Sequence, residues 1–123
     1  MADRGRIPPL ELEAMKVLWD LGQATVRQVQ VEMSRRRPLA YTTVMTLLDR
    51  LTRRGAAERR KQGRAHLYHP LLARETAREL AIDRLTLDFF DGSRERLAAH
   101  LHGEAPAAAT APAEQESLDT ALL

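Results

Sequence analysis

The stretch LAYTTVMTLLDRLTRRG, residues 39 to 55, constrains this chain's fold more than any other. Tyr41, Val44, Leu47, Leu48 and Leu51 fall at helical spacing along one side, while Thr42, Thr43, Thr46, Arg50 and Arg53 follow i, i+3, i+4 steps along the other. The spacing predicts a helix over residues 41 to 54, closed by Gly55 after a basic last turn. Its leucine side must be covered by neighbouring elements, and Tyr41, which belongs to that side, is expected to be a core or helix-entry anchor rather than a base-stacking residue.

The opposite face is short-chained first and cationic later. A helix that enters a DNA major groove needs that order, because bulky side chains in its first turns would collide with the groove walls. Three threonines in five positions also argue against selection for helix propensity alone. Thr42, Thr43 and Thr46 are therefore the candidate base-contacting residues, with Met45 at the groove margin.

The flanking segments fit a lobe built around that helix. Leu12, Met15, Leu18 and Trp19 recur at helical spacing over residues 9 to 21, after Pro8 and Pro9 and before Gly22. Thr25 suits the N-cap of a second helix, with Val26, Val29 and Met33 inward, running to about Arg36 before Pro38 stops it. Beyond Gly55, AAERRKQGRAHLYHP predicts strands over 57 to 61 and 65 to 69 around a Lys61-Gln62-Gly63-Arg64 turn, a basic hairpin with the shape of a wing.

Charge supports the same reading. The 123-residue chain carries a formal net charge of only +2, yet residues 34 to 64 hold ten Arg or Lys against Asp49 and Glu58, so that segment is +8 and the remainder −6. Phosphate neutralisation needs clustered cations rather than a high total charge. The candidate phosphate contacts are Arg50, Arg53, Arg60, Lys61 and Arg64, together with Thr25 at a helix N-terminus.

From residue 72 to 90 a longer helix carries Ala77, Leu80, Ala81, Ile82, Leu85, Leu87, Phe89 and Phe90, a stripe too wide for a three-helix lobe to cover alone. Asp91-Gly92-Ser93 breaks it and caps a short helix over 94 to 102 with an apolar edge of Leu97, Ala98 and Leu101. An Ala/Pro-rich linker over 103 to 112 and a short amphipathic helix over 113 to 123 complete the reading. The expected fold class is mostly α with a small β-hairpin wing: a winged helix-turn-helix domain over residues 1 to 71, then a helical dimerisation region over 72 to 123. Leu80, Ile82, Leu85, Leu87, Phe89, Leu97 and Leu101 are the candidate dimer-interface residues.

Other chemistries find little support. With no cysteine, a disulfide framework, a thiolate metal site and a thiol nucleophile are all excluded. His66 and His69 stand three apart on a strand, hence on opposite faces, and His100 and His102 do not share a helical face, so no metal is expected. No phosphate-binding glycine loop, paired-carboxylate constellation or nucleophile motif occurs, so neither catalysis nor a cofactor is expected. The first residues lack the apolar run of a signal peptide and no stretch approaches the roughly 20 apolar residues that span a bilayer, which predicts a cytoplasmic protein without membrane insertion.

LELEAMKVLWDLGQATVRQV, AYTTVMTLLDRLTRRG, GRAHLYHP and DGSRERLAAHL resemble the penicillinase-repressor (BlaI/MecI/CopY) family of bacterial regulators over residues 9 to 102. The resemblance implies a homodimeric repressor that binds a palindromic operator, in a β-lactam or cell-wall stress response, with the residues matching Thr42, Thr43 and Thr46 in the major groove. It also implies that residues 113 to 123 are a terminal dimerisation helix. Some members are inactivated by a membrane-bound, β-lactam-sensing metalloprotease that cuts at an Asn-Phe pair, which makes such a sensor a candidate partner; the aligned pair here, His100-Leu101, departs from that pattern. The cysteine cluster of the copper-responsive branch is absent. Two rival functions remain at this point: a protein-interaction adaptor on a winged scaffold, and a regulator gated by a small molecule between its lobes.

Overall fold

The structure, a computed structural model, describes residues 7–103; the expected final helix over 113 to 123 and all but the first residue of the linker lie outside the described residues. The order of elements is α1 (Pro9–Leu21), α2 (Val26–Met33), α3 (Tyr41–Arg53), β1 (Ala57–Gln62), β2 (Ala65–Pro70), α4 (Arg74–Phe89) and α5 (Arg94–Leu101). The chain divides into two compact units between Ile82 and Asp83, inside α4.

In the first unit, α1, α2 and α3 pack around Met15, Leu18, Val29, Val44, Leu48 and Leu51. The hairpin closes one side of this core through Ala57 and Tyr68. Each helix boundary has a local cause. Pro9 opens α1, where its missing N–H costs nothing. Thr25 caps α2 in a reciprocal box: its hydroxyl accepts from the Gln28 amide at 3.1 Å, and its own amide donates to Gln28 Oε1 at 2.8 Å. Helix α2 ends at Met33, short of Arg36, and the amides of Arg36 and Arg37 both turn back to the Met33 carbonyl. At the end of α3, Gly55 at φ 79° allows the Ala56 amide to reach the Leu51 carbonyl at 3.0 Å and the Gly55 amide to reach Thr52.

Strands β1 and β2 pair antiparallel from Ala57↔Pro70 to Gln62↔Ala65, each one residue longer at its C-terminal end than the sequence indicates. Gly63, at φ 64°, is the first of the two turn residues, the position where a two-residue hairpin turn favours glycine. Ala24, between α1 and α2, adds a bridge to Tyr68 through bonds of 2.9 and 2.8 Å, tying the wing's base to the helices.

The start of α4 belongs to this unit. The Leu71 and Leu72 amides both donate to the Ala56 carbonyl, the Leu72 side chain is buried, and its carbonyl accepts from Trp19 Nε1 at 2.8 Å. Arg74 reaches Asp20 at 2.8 Å, and Ala77 and Leu80 pack against the core. These attachments delay the helix start to Arg74, two residues later than its apolar pattern begins.

In the second unit the end of α4 meets a sharp break, with Asp91 at φ 50° and Gly92 at φ 79°. Ser93 caps α5 by accepting from the Arg96 amide at 3.1 Å. Thr86 and Leu97 are buried, the Phe90 and His100 rings lie 5.5 Å apart, and Arg94 bonds Asp83. Leu97, expected at a shared interface, is thus already covered by its own chain.

Candidate nucleic-acid interface

Helix α3 is amphipathic along its full length. Val44, Leu47, Leu48 and Leu51 are buried, and Thr42, Thr43 and Thr46 are all exposed among the described residues. Its first half therefore presents a slim, hydroxyl- and methyl-bearing surface, with Met45 exposed beside it. Thr46 differs from the other two: its hydroxyl donates to the Thr42 carbonyl at 2.9 Å. With the proton committed, the lone pairs and the methyl group remain for a partner.

Of the two places open to Tyr41, it takes the entry of α3 rather than the core: it is 43% exposed, and the Arg27 guanidinium lies over its ring, 5.8 Å from the centroid. The wheel places Tyr41 on the leucine side, but in the first turn of α3 that side overlooks the head of α2 instead of the core. Thr25 is also only partly as expected. Its amide and hydroxyl are both spent inside the capping box, which leaves the amides of Val26 and Arg27 as the unbonded donors of that turn.

The basic segment sorts into two groups. Arg35 pairs with Glu32, Arg37 with Glu13, Arg53 with Asp49 at 3.1 Å and Arg60 with Glu58 at 3.3 Å. Arg54 is the most committed: its Nε lies 2.9 Å from Glu11 Oε1, and that carboxylate is buried. Glu58 also bonds His69 Nε2 at 2.8 Å, which holds His69 in a cross-strand pair, while His66 is exposed. Among the described residues Arg36, Arg50, Arg59, Lys61 and Arg64 have no carboxylate partner, and all five are exposed. Arg59 and Arg64 line the same cleft as Thr46, Arg50 follows the threonines along α3, and Lys61 stands on the wing. Arg27, Tyr41, Arg59 and His66 were absent from the sequence-based site; the only signal for Arg59 was its place on an alternating, solvent-facing strand.

No group of three or more His, Cys, Asp or Glu with metal-binding geometry occurs among the described residues, and none of their helices is long and apolar enough to cross a membrane. A family model described as penicillinase repressor matches residues 7–122.

The chain belongs to the penicillinase-repressor family.

Members of the penicillinase-repressor family are transcriptional regulators, not enzymes. One relative, the transcriptional regulator BlaI of Mycobacterium tuberculosis, is 40% identical over 102 residues, covering 81% of this chain and 74% of its own. The penicillinase repressor of Bacillus licheniformis is 30% identical over 88 residues, 72% of this chain and 69% of its own. Among solved structures, the DNA-binding domain of the repressor BlaI is similar with a TM-score of 0.54 and 32% identity, covering 62% of this chain and 93% of that one. Monomeric Bacillus licheniformis BlaI in complex with the blaP half-operator is similar with a TM-score of 0.52 at the same identity and coverage. The penicillinase-repressor family thus shares the winged-helix fold seen here, with α3 as its third helix and β1 and β2 as the wing.

Proposed function

We propose that this chain is a sequence-specific DNA-binding repressor that engages a palindromic operator as a homodimer. The observation that carries this reading is the face of α3: three outward threonines with uncommitted arginines beside them, on a helix whose other side is sealed in its own core. Thr42, Thr43 and Thr46 read base edges. Arg50, Lys61 and Arg64 contact phosphates, and so do Arg53 and Arg60 once they exchange their exposed carboxylate partners for phosphate oxygens. The similar repressor structure bound to a half-operator supports the same mode.

Dimerisation rests on the second unit. Leu85, Leu87, Phe89 and Leu101 are exposed, at 41, 61, 75 and 71%, more large apolar surface than so short a helical pair leaves in water without a partner. Ile82 is half-buried, Leu80 packs on the first unit's core and Leu97 is buried, so those three contribute less to a shared core than the exposed four. A dimer makes the second half-site engagement effectively intramolecular, and half-sites then lie about 34–36 Å or a multiple apart. The repressor works in the cytoplasm in a β-lactam or cell-wall stress response, with a membrane sensor protease as the partner that relieves repression.

The experiment is selection of duplexes from a random pool by the full chain, followed by affinity measurement against salt. A palindrome preferred over random duplex by orders of magnitude, with log affinity falling linearly in log salt, is the expected result. Equal affinity for all duplexes, with binding of an acidic protein instead, points to the adaptor role.

A further inference from the structure

An open cleft of about 550 Å³ lies between the head of α2, the start of α3 and the wing, lined by Thr25, Arg27, Tyr41, Thr46, Arg59, Arg64 and His66, among others. Three guanidinium groups, from α2, β1 and the hairpin turn, converge on it. Arg59 and Arg64 have no carboxylate partner, and the carboxylate in the lining, Asp49, is held by Arg53 at 3.1 Å. A concave site with this surplus of positive charge selects an anion. Because Thr46 of the base-reading face shares the lining, the anion that arrives with DNA is a backbone phosphate next to the groove that α3 enters.

We propose that this cleft seats one specific phosphate of each half-site, held by Arg27, Arg59 and Arg64, and that Tyr41 is a positioning residue which acts through Arg27. The Tyr41 ring lies under the Arg27 guanidinium at 5.8 Å. A guanidinium already stacked on a ring gives up less side-chain freedom when it binds than one waving in water, so its contact is worth more. Arg27 therefore serves as a register pin. It fixes which phosphate lies beside Thr46, and hence which base pair that residue meets.

The inference rests on the operator-binding reading, and its test separates the two. The duplex enriched by the full chain is remade as a set, each member carrying a neutral methylphosphonate at one position. Affinities are measured for the wild type and for Arg27→Gln, Arg59→Gln, Tyr41→Phe and Tyr41→Leu, with circular dichroism confirming the fold of each. For the wild type, neutralising one phosphate per half-site weakens binding about tenfold, the size of a charge-assisted contact. In Arg27→Gln and Arg59→Gln that same neutralisation has little further effect. Tyr41→Phe retains the wild-type response, while Tyr41→Leu behaves like Arg27→Gln. Additive effects of variant and methylphosphonate at every position overturn the seat while leaving operator binding intact. A wild-type chain that binds no duplex at all overturns both.

Discussion

The ion pair between Glu11 and Arg54 joins the first turn of α1 to the residue that caps the C-terminal end of α3, and Glu11→Gln tests what it contributes. The Glu11 side chain is 3% exposed and that of Arg54 22%, with 2.9 Å between Nε and Oε1. Removing one member of a fully buried pair costs about 3–5 kcal/mol, chiefly because the other charge is stranded. Here the guanidinium that loses Glu11 is partly accessible and can hydrate further, and the glutamine carbonyl retains a weaker hydrogen bond. The expected loss is therefore about 1.5–2.5 kcal/mol. For a domain of 60–100 residues each kcal/mol shifts the melting midpoint by about 4–8 °C, so the midpoint falls by roughly 6–20 °C. Urea unfolding followed by circular dichroism measures the free energy directly. The double variant Glu11→Leu/Arg54→Met, which replaces both charges with apolar groups, recovers most of the loss because nothing buried is left unpaired. A Glu11→Gln protein within about 0.5 kcal/mol of the wild type, the range of an ordinary surface change, refutes the claim that this pair fastens α3 to α1.

Three further outcomes follow from the interface. Thr46→Ala narrows the gap between cognate and altered base pairs by about 1–3 kcal/mol in competition binding; an equal loss on every duplex contradicts its assignment to base reading. Arg64→Ala weakens all sequences alike and reduces the slope of log affinity against log salt by about one, whereas an unchanged slope removes it from the phosphate contacts. Phe89→Glu leaves the melting of the first unit unchanged but shifts the chain from dimer to monomer in sedimentation and weakens operator binding, and a persistent dimer moves the interface elsewhere.

Much of this architecture was legible in the sequence because the relevant signals are local. Proline and glycine punctuate α1, α3 and the hairpin, and the leucine spacing of α3 permits only one buried side. The threonine face followed from the same periodicity. What escaped depends on distant partners. Glu11 and Arg54 are 43 residues apart, and nothing in the composition distinguishes the arginine that is buried against a carboxylate from those left for a polyanion. Tyr41 lies on the apolar side of an ideal wheel, yet what a first-turn residue meets is decided by how the preceding helix is placed. Leu80 belongs to the apolar stripe of 72 to 90 and Leu97 to the apolar edge of 94 to 102, each assigned as a whole by the sequence, although Leu80 is partly covered and Leu97 buried within the chain itself. Spacing identifies which residues need cover and does not say which element supplies it.

Trp19 is the chain's one tryptophan, and its indole is fastened at both faces of the problem: Nε1 donates to the Leu72 carbonyl at 2.8 Å, and the Arg74 guanidinium lies 5.3 Å from the ring centroid. Its light emission consequently reports on the seating of the first turns of α4. If those turns lift away, the indole gains water and loses its cation, and the spectrum shifts to the red while helical content barely changes. The molecule thus carries its own label for watching that junction while DNA is titrated in.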